Sequence, residues 1–193
     1  HRGAKGYFPE NTVPSFILAI EQGADTIELD VVISSDKKVV VSHDHWFSAA
    51  FSTTPDGVRI TRETERNHNI YKMTYDEVKR YDVGGVGNAG VPEQVAFKIH
   101  KPLLTEVFAA IEKYTKDRGL PPVRYNIEIK SNPQGDGVFH PEIPEFVDLI
   151  LKDIAAYNVG KRVIIQSFDV RPLQLIHKIA PDTVISFLVS NQR

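Results

Sequence analysis

The chain has 193 residues and a formal net charge of -2, from 23 lysine and arginine residues against 25 aspartate and glutamate residues. This near balance gives no basic excess for nucleic acid, and no apolar run approaches the roughly 18 residues of a membrane span. Cysteine is absent, which excludes disulfides, thiolate catalysis and cysteine-ligated metals. The length favours a single domain over residues 1–193.

The chain opens with two short polar motifs, His1-Arg2-Gly3 and Pro9-Glu10-Asn11-Thr12. Thr12 is a suitable N-cap for a helix that Gly23 ends, and apolar residues between them lie on one side. A loop motif at the first residue needs a strand to project it. We therefore expect one strand of the fold to precede this sequence.

The next stretch, residues 26–33, is β-branched and apolar except for Glu28 and Asp30. Residues two apart on a strand point to the same side, so the two carboxylates project together. Their repulsion is relieved most simply by a hard divalent cation with oxygen ligands, which predicts a Ca²⁺ or Mg²⁺ site. The alternative is an edge strand with a solvated acidic face. The apolar neighbours disfavour it, because they indicate a strand covered on both sides.

A second strand, residues 39–44, ends in Ser42-His43-Asp44, so the His43 imidazole emerges at its carboxyl end. Either His1 or His43 alone is typical of an ordinary surface histidine. Two histidines near a carboxylate pair suit general acid and base chemistry, and Arg2 suits a phosphate oxyanion.

Residues 45–101 lose regular periodicity, although Thr74 and Glu77 form a capping box for a short helix. The segment is either a long loop region or an insertion that covers a site. Its length without regular elements favours a functional insertion. The glycines of residues 84–90 formally match GxGxxG, but no helix follows them, which excludes a dinucleotide site.

The following strand, residues 123–130, repeats the pattern of the first carboxylate strand. Glu128 and Lys130 share one face, so Glu128 can be a third oxygen ligand and Lys130 can hold a phosphate oxygen. A salt-bridged surface pair is the alternative for an isolated strand. Gln166 and Phe168 share a face at the end of the strand over 162–168, where substrate contact and barrel filling are equally open.

The alternation of helices with strands near residues 26, 38, 124, 162 and 184 predicts a parallel α/β fold. One strand before the sequence and two after it would bring the total to eight, which predicts a TIM (β/α)₈ barrel. Residues 45–101 would then follow the third strand of that barrel.

The ordered set HRG, PENT, GAD, ELD, SDKK and HD over residues 1–44 resembles the glycerophosphodiester phosphodiesterase family. The resemblance resumes at residues 102–108, 126–130 and 166–169, and leaves out about 45–101. It implies a TIM barrel that hydrolyses glycerophosphodiesters, small-molecule substrates, to glycerol 3-phosphate and a free alcohol. It also implies that the insertion selects the alcohol, and it favours a periplasmic or secreted location. The oligomeric state stays undetermined.

By this resemblance, one divalent cation is held by three carboxylates: Glu28, Asp30 and Glu128. Arg2 and Lys130 neutralise the phosphate. His1 and His43 exchange protons with the attacking oxygen and the leaving alcohol. Glu10 of the PENT motif belongs to the substrate-binding residues and orients these groups rather than binding the cation, while Gln166 and Phe168 remain candidate substrate contacts.

Three alternatives are compatible with parts of the pattern. A sphingomyelin-cleaving phospholipase D shares the histidines and the acidic site, but it usually carries disulfides. A metal-dependent amidohydrolase is suggested by His43-Asp44-His45, although histidine ligands at later strand ends are missing. A non-catalytic barrel is disfavoured, because a dead site has no physical reason to hold clustered like charges.

Overall fold

The computed structural model describes residues 1–190 and contains within them a five-stranded mixed sheet. The strands are β1 (Thr26–Ile33), β2 (Val39–Val41), β3 (Arg124–Ile129), β4 (Val163–Ser167) and β5 (Val184–Phe187). They lie in the order β2-β1-β3-β4-β5. The α-helices are α1 (Val13–Glu21), α2 (Tyr75–Val78), α3 (Leu104–Asp117), α4 (Ile143–Ala156) and α5 (Val170–Ile179).

Four of the strands, β1, β3, β4 and β5, are parallel neighbours. Asp30 lies opposite Glu128, which in turn lies opposite Gln166, so three polar residues are at one level across the sheet. Each connection between these strands contains at least one helix. This is the strand–helix alternation of successive units in a TIM barrel.

The second strand departs from the prediction, because β2 pairs antiparallel with β1. Only residues 34–38 separate the two strands, and a parallel connection needs a dozen or more residues. The pair is therefore a hairpin: the five predicted strands are all present, but the parallel direction predicted for the second strand is wrong. The hairpin returns the chain to the level of Asp30, whose carbonyl accepts a hydrogen bond from the Ser42 N–H at 2.9 Å.

The two faces of the parallel strands separate apolar from polar side chains. Ile27 and Leu29 on β1, with Ile127 on β3, are buried in the main core. The outer helices complete this core through fully buried aromatic residues such as Phe108 of α3 and Phe146 of α4. Burying such a side chain contributes about 1.5–3 kcal/mol. The alternate positions of the same strands carry the carboxylates, which consequently point away from the helices.

The segment between β2 and α3 has a core of its own. Nine buried residues form it: Val32, Val40, Phe47, Phe51, Ile60, Ile70, Tyr75, Val78 and Val83. Because Val32 and Val40 belong to the hairpin, the segment packs on the face of the hairpin that is turned away from the main core. The capping box of α2 is present, with Thr74 N–H donating to Glu77 Oε2 at 2.8 Å.

No helix in the described part of the chain has both the length and the apolar character that crossing a membrane requires.

Candidate active site

Three carboxylates meet on the polar face of the sheet. Glu28 and Asp30 lie on β1, Glu128 lies on β3, and each contributes an oxygen to a group whose members are all within 4.8 Å of one another. Asp30 is 1% exposed and Glu128 is 7% exposed. The period of two along β1 and the register of β1 with β3 together produce this cluster.

Burial and mutual repulsion both disfavour the ionised form of these carboxylates. Burial raises the pKa of Glu28, and the nearby Asp30 charge raises it further. Burial also raises the pKa of Glu128, against the opposing effect of its hydrogen bond with Lys130. Asp30 Oδ1 is buried and accepts no hydrogen bond from the described residues. A buried carboxylate oxygen that accepts no hydrogen bond and lies among like charges fits a hard cation such as Ca²⁺ or Mg²⁺.

The first loop brings Arg2 against these carboxylates. Its backbone N–H donates to Glu28 Oε2 at 2.7 Å, and its Nη1 donates to Glu10 Oε2 at 2.8 Å. Arg2 Nε lies 3.6 Å from Asp30 Oδ2. Glu10 therefore contacts Arg2 and is absent from the carboxylate group.

Asn11 is a site residue that the sequence interpretation missed. It is 2% exposed, and its Nδ2 donates to Asp30 Oδ2 at 2.9 Å. The Asp30 N–H donates back to Asn11 Oδ1 at 3.3 Å. Asn11 has a φ of +56°, a conformation that asparagine tolerates better than most residues. The asparagine of the PENT motif could have predicted this role. Asparagine tolerates a positive φ, and its side-chain amide can both donate to a carboxylate and accept from a backbone N–H.

Lys130 and Gln166 contact the cluster from β3 and β4. Lys130 Nζ donates to Glu128 Oε1 at 2.7 Å and lies 3.8 Å from Asp30 Oδ1. Gln166 Nε2 donates to Glu28 Oε1 at 3.0 Å, and its Oε1 accepts from Asn126 Nδ2 at 3.1 Å. Gln166 therefore orients Glu28 directly.

The two candidate histidines differ in their surroundings. His1 is exposed, with Nε2 4.0 Å from Glu28 Oε2. His43 Nδ1 lies 3.0 Å from Asp44 Oδ1, a contact that favours the proton on Nδ1 and leaves Nε2 for chemistry. Burial acts to raise the pKa of Asp44, but its hydrogen bond with His43 and nearby cations bring that pKa below the ordinary value. Asp44 is a second residue that the sequence interpretation missed, although the HD dipeptide pointed to it.

A cavity of about 260 Å³ opens beside the carboxylates. The residues lining it include His43, His45, Trp46, Glu128, Lys130 and Phe168. Phe168 is 50% exposed and follows the end of β4. The cavity thus joins a candidate proton-transfer group, a candidate phosphate-binding lysine and aromatic surfaces in one space.

His45 does not join His43 in a metal site. Its ring centroid lies 5.4 Å from that of His140 and 6.1 Å from that of Phe139. Burial lowers the pKa of His45 to about 3. Within the described residues, the group with metal-ligand geometry contains only carboxylates. This arrangement disfavours the amidohydrolase alternative.

Gly3 allows the first loop to pass close to α1. Its φ is +76°, and a Cβ built there would lie 2.5 Å from Ser15 Oγ. We expect Gly3→Ala to lower the free energy of unfolding by about 1–3 kcal/mol, because the backbone is strained and the loop must move. Urea denaturation measures this, with Gly6→Ala as the control because a Cβ at Gly6 meets nothing within 4 Å. Equal losses in the two variants would contradict the explanation.

The fold and the site define an α/β protein of the TIM-barrel class with an acidic, cation-compatible centre on the polar face of its parallel strands. The chain belongs to the glycerophosphoryl diester phosphodiesterase family, whose model matches residues 1–193. This confirms the family resemblance and the barrel class.

Known proteins and a solved structure are similar to almost the whole chain. The chain is 34% identical over 192 residues to the Bacillus subtilis protein YqiK, covering 99% of this chain and 65% of that protein. It is 34% identical over 189 residues to the glycerophosphodiester phosphodiesterase of Caldanaerobacter subterraneus, covering 97% and 64%. A crystal structure from Silicibacter pomeroyi, assigned as a glycerophosphoryl diester phosphodiesterase, superposes with a TM-score of 0.84 at 31% identity, covering 98% and 63%. The chain therefore spans just under two thirds of these relatives.

Proposed function

We propose that the protein hydrolyses glycerophosphodiesters to glycerol 3-phosphate and a free alcohol, in a reaction that depends on a divalent cation. One observation carries this proposal: the buried carboxylates contact Arg2 and Lys130 directly. The carboxylates that could bind a cation and the basic side chains that could bind a phosphate are therefore in direct contact. Membership of the family supports a phosphodiester substrate, and Arg2, Lys130 and the three carboxylates supply the means to bind it.

In this proposal Glu28, Asp30 and Glu128 hold one Ca²⁺ or Mg²⁺. When bound, that ion supplies Lewis-acid polarisation of a phosphate oxygen and a contact for a glycerol hydroxyl. Arg2 and Lys130 neutralise the phosphate oxygens as negative charge builds up on them. Both side chains are already held by carboxylates, so little ordering remains when the substrate binds.

His1 and His43 provide the proton transfers. One imidazole takes a proton from the attacking water while the other gives a proton to the departing alcohol oxygen, so one P–O bond forms and one breaks. Asp44 fixes the ring of His43 through Nδ1. The aromatic surfaces of Trp46 and Phe168 contact the departing alcohol, and the segment over residues 45–101 determines which alcohol fits.

The test is release of glycerol 3-phosphate by the whole protein from glycerophosphocholine, glycerophosphoethanolamine and glycerophosphoinositol. We expect release that EDTA abolishes and that excess Ca²⁺ or Mg²⁺ restores. The ranking of the three substrates reports the alcohol preference. Sphingomyelin is included as a lipid diester. No release from the glycerophosphodiesters with either metal would contradict the proposal, and cleavage of sphingomyelin alone would favour the phospholipase D alternative.

A further inference from the structure

Lys101 is a buried lysine that the proposed chemistry does not use. It is 6% exposed and lies where the insertion rejoins the barrel. Leu103 pairs antiparallel with Val40, so the register places Lys101 opposite Ser42, two residues along each segment. Lys101 Nζ accordingly donates to Ser42 Oγ at 2.8 Å.

The surroundings of this ammonium group combine aromatic rings and carboxylates. Nζ lies 5.3 Å from the ring centroid of Phe47 and 5.9 Å from that of Phe51. Burial lowers the pKa of Lys101, while the negative charges of Asp44 and Glu10 oppose that effect. A buried ammonium is costly unless such partners stabilise it, and an apolar side chain would fill this position with less cost.

Two hydrogen bonds lead from Lys101 through Ser42 to the backbone of Asp44, and the side chain of Asp44 contacts His43. Ser42 Oγ accepts from Lys101 and donates to the Asp44 carbonyl oxygen at 2.5 Å. Asp44 Oδ1 then lies 3.0 Å from His43 Nδ1. The hydroxyl of Ser42 is fixed in direction by its donor and its acceptor. The turn that carries His43 is consequently tied to Lys101.

The backbone of the Lys101 segment is itself anchored. Tyr75 Oη donates to the Lys101 carbonyl oxygen at 3.0 Å and lies 2.9 Å from Glu106 Oε2. The Pro102 carbonyl oxygen accepts from Val41 N–H at 2.8 Å. The insertion, α3 and β2 therefore all fix the point from which the lysine reaches the turn.

We propose that Lys101 is a positioning residue for His43: through Ser42 and Asp44 it holds the imidazole in place, and its positive charge acts on the carboxylate that contacts Nδ1. This inference rests on the proposed function, because it assigns Lys101 a part in the same reaction. It links the packing of the insertion to proton transfer at the site.

The charge of Lys101 predicts a change in the titration of Asp44. Burial acts to raise the pKa of Asp44, whereas His43, Lys101 and Lys130 act to lower it. Arg2 and His45 also interact electrostatically with this carboxylate. Removing the Lys101 charge should therefore raise the pKa of Asp44.

The deciding variant is Lys101→Met, which keeps the length of the side chain and removes its charge and donors. In the whole protein we expect kcat to fall by about 10- to 100-fold, with KM within about 2-fold of wild type. Lys101→Arg should recover part of kcat. Lys98→Met is the matched control, because Lys98 is exposed in the same segment.

The Asp44 carboxyl carbon is followed by ¹³C NMR over pH, and Asp44→Asn identifies its signal. An upward shift of its titration in Lys101→Met supports the proposal even if no glycerophosphodiester is cleaved, a result that would overturn only the proposed function. An unchanged titration and an unchanged kcat would overturn the role of Lys101.

If Lys101→Met does not fold, Ser42→Ala decides. Ser42→Ala removes the hydroxyl that joins Lys101 to Asp44 and leaves the charge of Lys101 in place. We therefore expect kcat to fall while the titration of Asp44 stays near that of wild type. Wild-type kcat in Ser42→Ala would overturn the proposal.

Discussion

Replacing Asp30 with asparagine is expected to abolish Ca²⁺ or Mg²⁺ binding while leaving the metal-free fold intact. The amide keeps the shape of the carboxylate, and its oxygen can still accept from Asn11 Nδ2, which now bonds Asp30 Oδ2. Its NH₂ group takes the position of Oδ1, the buried oxygen without a hydrogen bond. The change removes one of three anionic ligands and no existing hydrogen-bond acceptor.

The measurement is thermal unfolding with EDTA and with excess cation. A ligand at 100 times its Kd stabilises the folded state by about 2.7 kcal/mol, which for a chain of this size shifts Tm by about 5–10 °C. The wild type should show such a shift and Asp30→Asn should show none. Asp25→Asn is the control, because Asp25 is exposed just before the same strand. A normal shift in Asp30→Asn would remove this residue from the cation site.

The metal-free and metal-loaded proteins should respond to pH in opposite ways. The pKa values of Glu28 and Glu128 are raised in the fold, so the folded state binds protons more tightly than the unfolded state does. The metal-free protein therefore loses stability as pH rises from the ordinary glutamate pKa through the raised values. Protons compete with the cation over the same window, so stabilisation by the cation should grow with rising pH. Urea titrations at several pH values, with EDTA or with cation, measure both slopes.

The carboxylate cluster was predictable from sequence because it depends on strand periodicity. Glu28 and Asp30 must share a face on any straight strand, and Glu128 adds to them as soon as its strand lies next to theirs. The direction of β2 was also within reach, since the short connection over residues 34–38 excludes a parallel crossover. The prediction instead counted β2 as a parallel strand in order to reach a total of eight.

The residues that orient the site were harder to predict because their contacts depend on loop geometry. Asn11 reaches Asp30 through a backbone with positive φ, and Lys101 reaches Ser42 only because the segment returns beside β2. No periodic pattern encodes either contact. The core of the insertion was not predicted for the same reason. Val32 and Val40 belong to that core, but the periodicity of the two strands does not show which residues cover their side of the hairpin.

Replacing His43 with asparagine is expected to lower kcat by about 100- to 10,000-fold, the usual contribution of a positioned general acid or base. Asparagine can still donate a hydrogen bond to Asp44, but it transfers no proton near neutral pH. The carboxylate cluster contains no histidine, so the Tm shift caused by the cation should persist. Steady-state kinetics on glycerophosphocholine across pH, combined with thermal unfolding, separates these effects.

The shape of the pH profile gives the sharper readout. Two imidazoles acting as acid and base produce a bell-shaped kcat/KM, and His43→Asn should lose one limb of it. His177→Asn, at an exposed position on α5, should leave both limbs in place. Because the pKa of Asp44 is lowered, this carboxylate is ionised at neutral pH and holds His43 throughout the active range. Asp44→Asn should therefore lower kcat less than His43→Asn does, since it loosens the imidazole without removing it. A complete bell in His43→Asn would assign the proton transfer to another group.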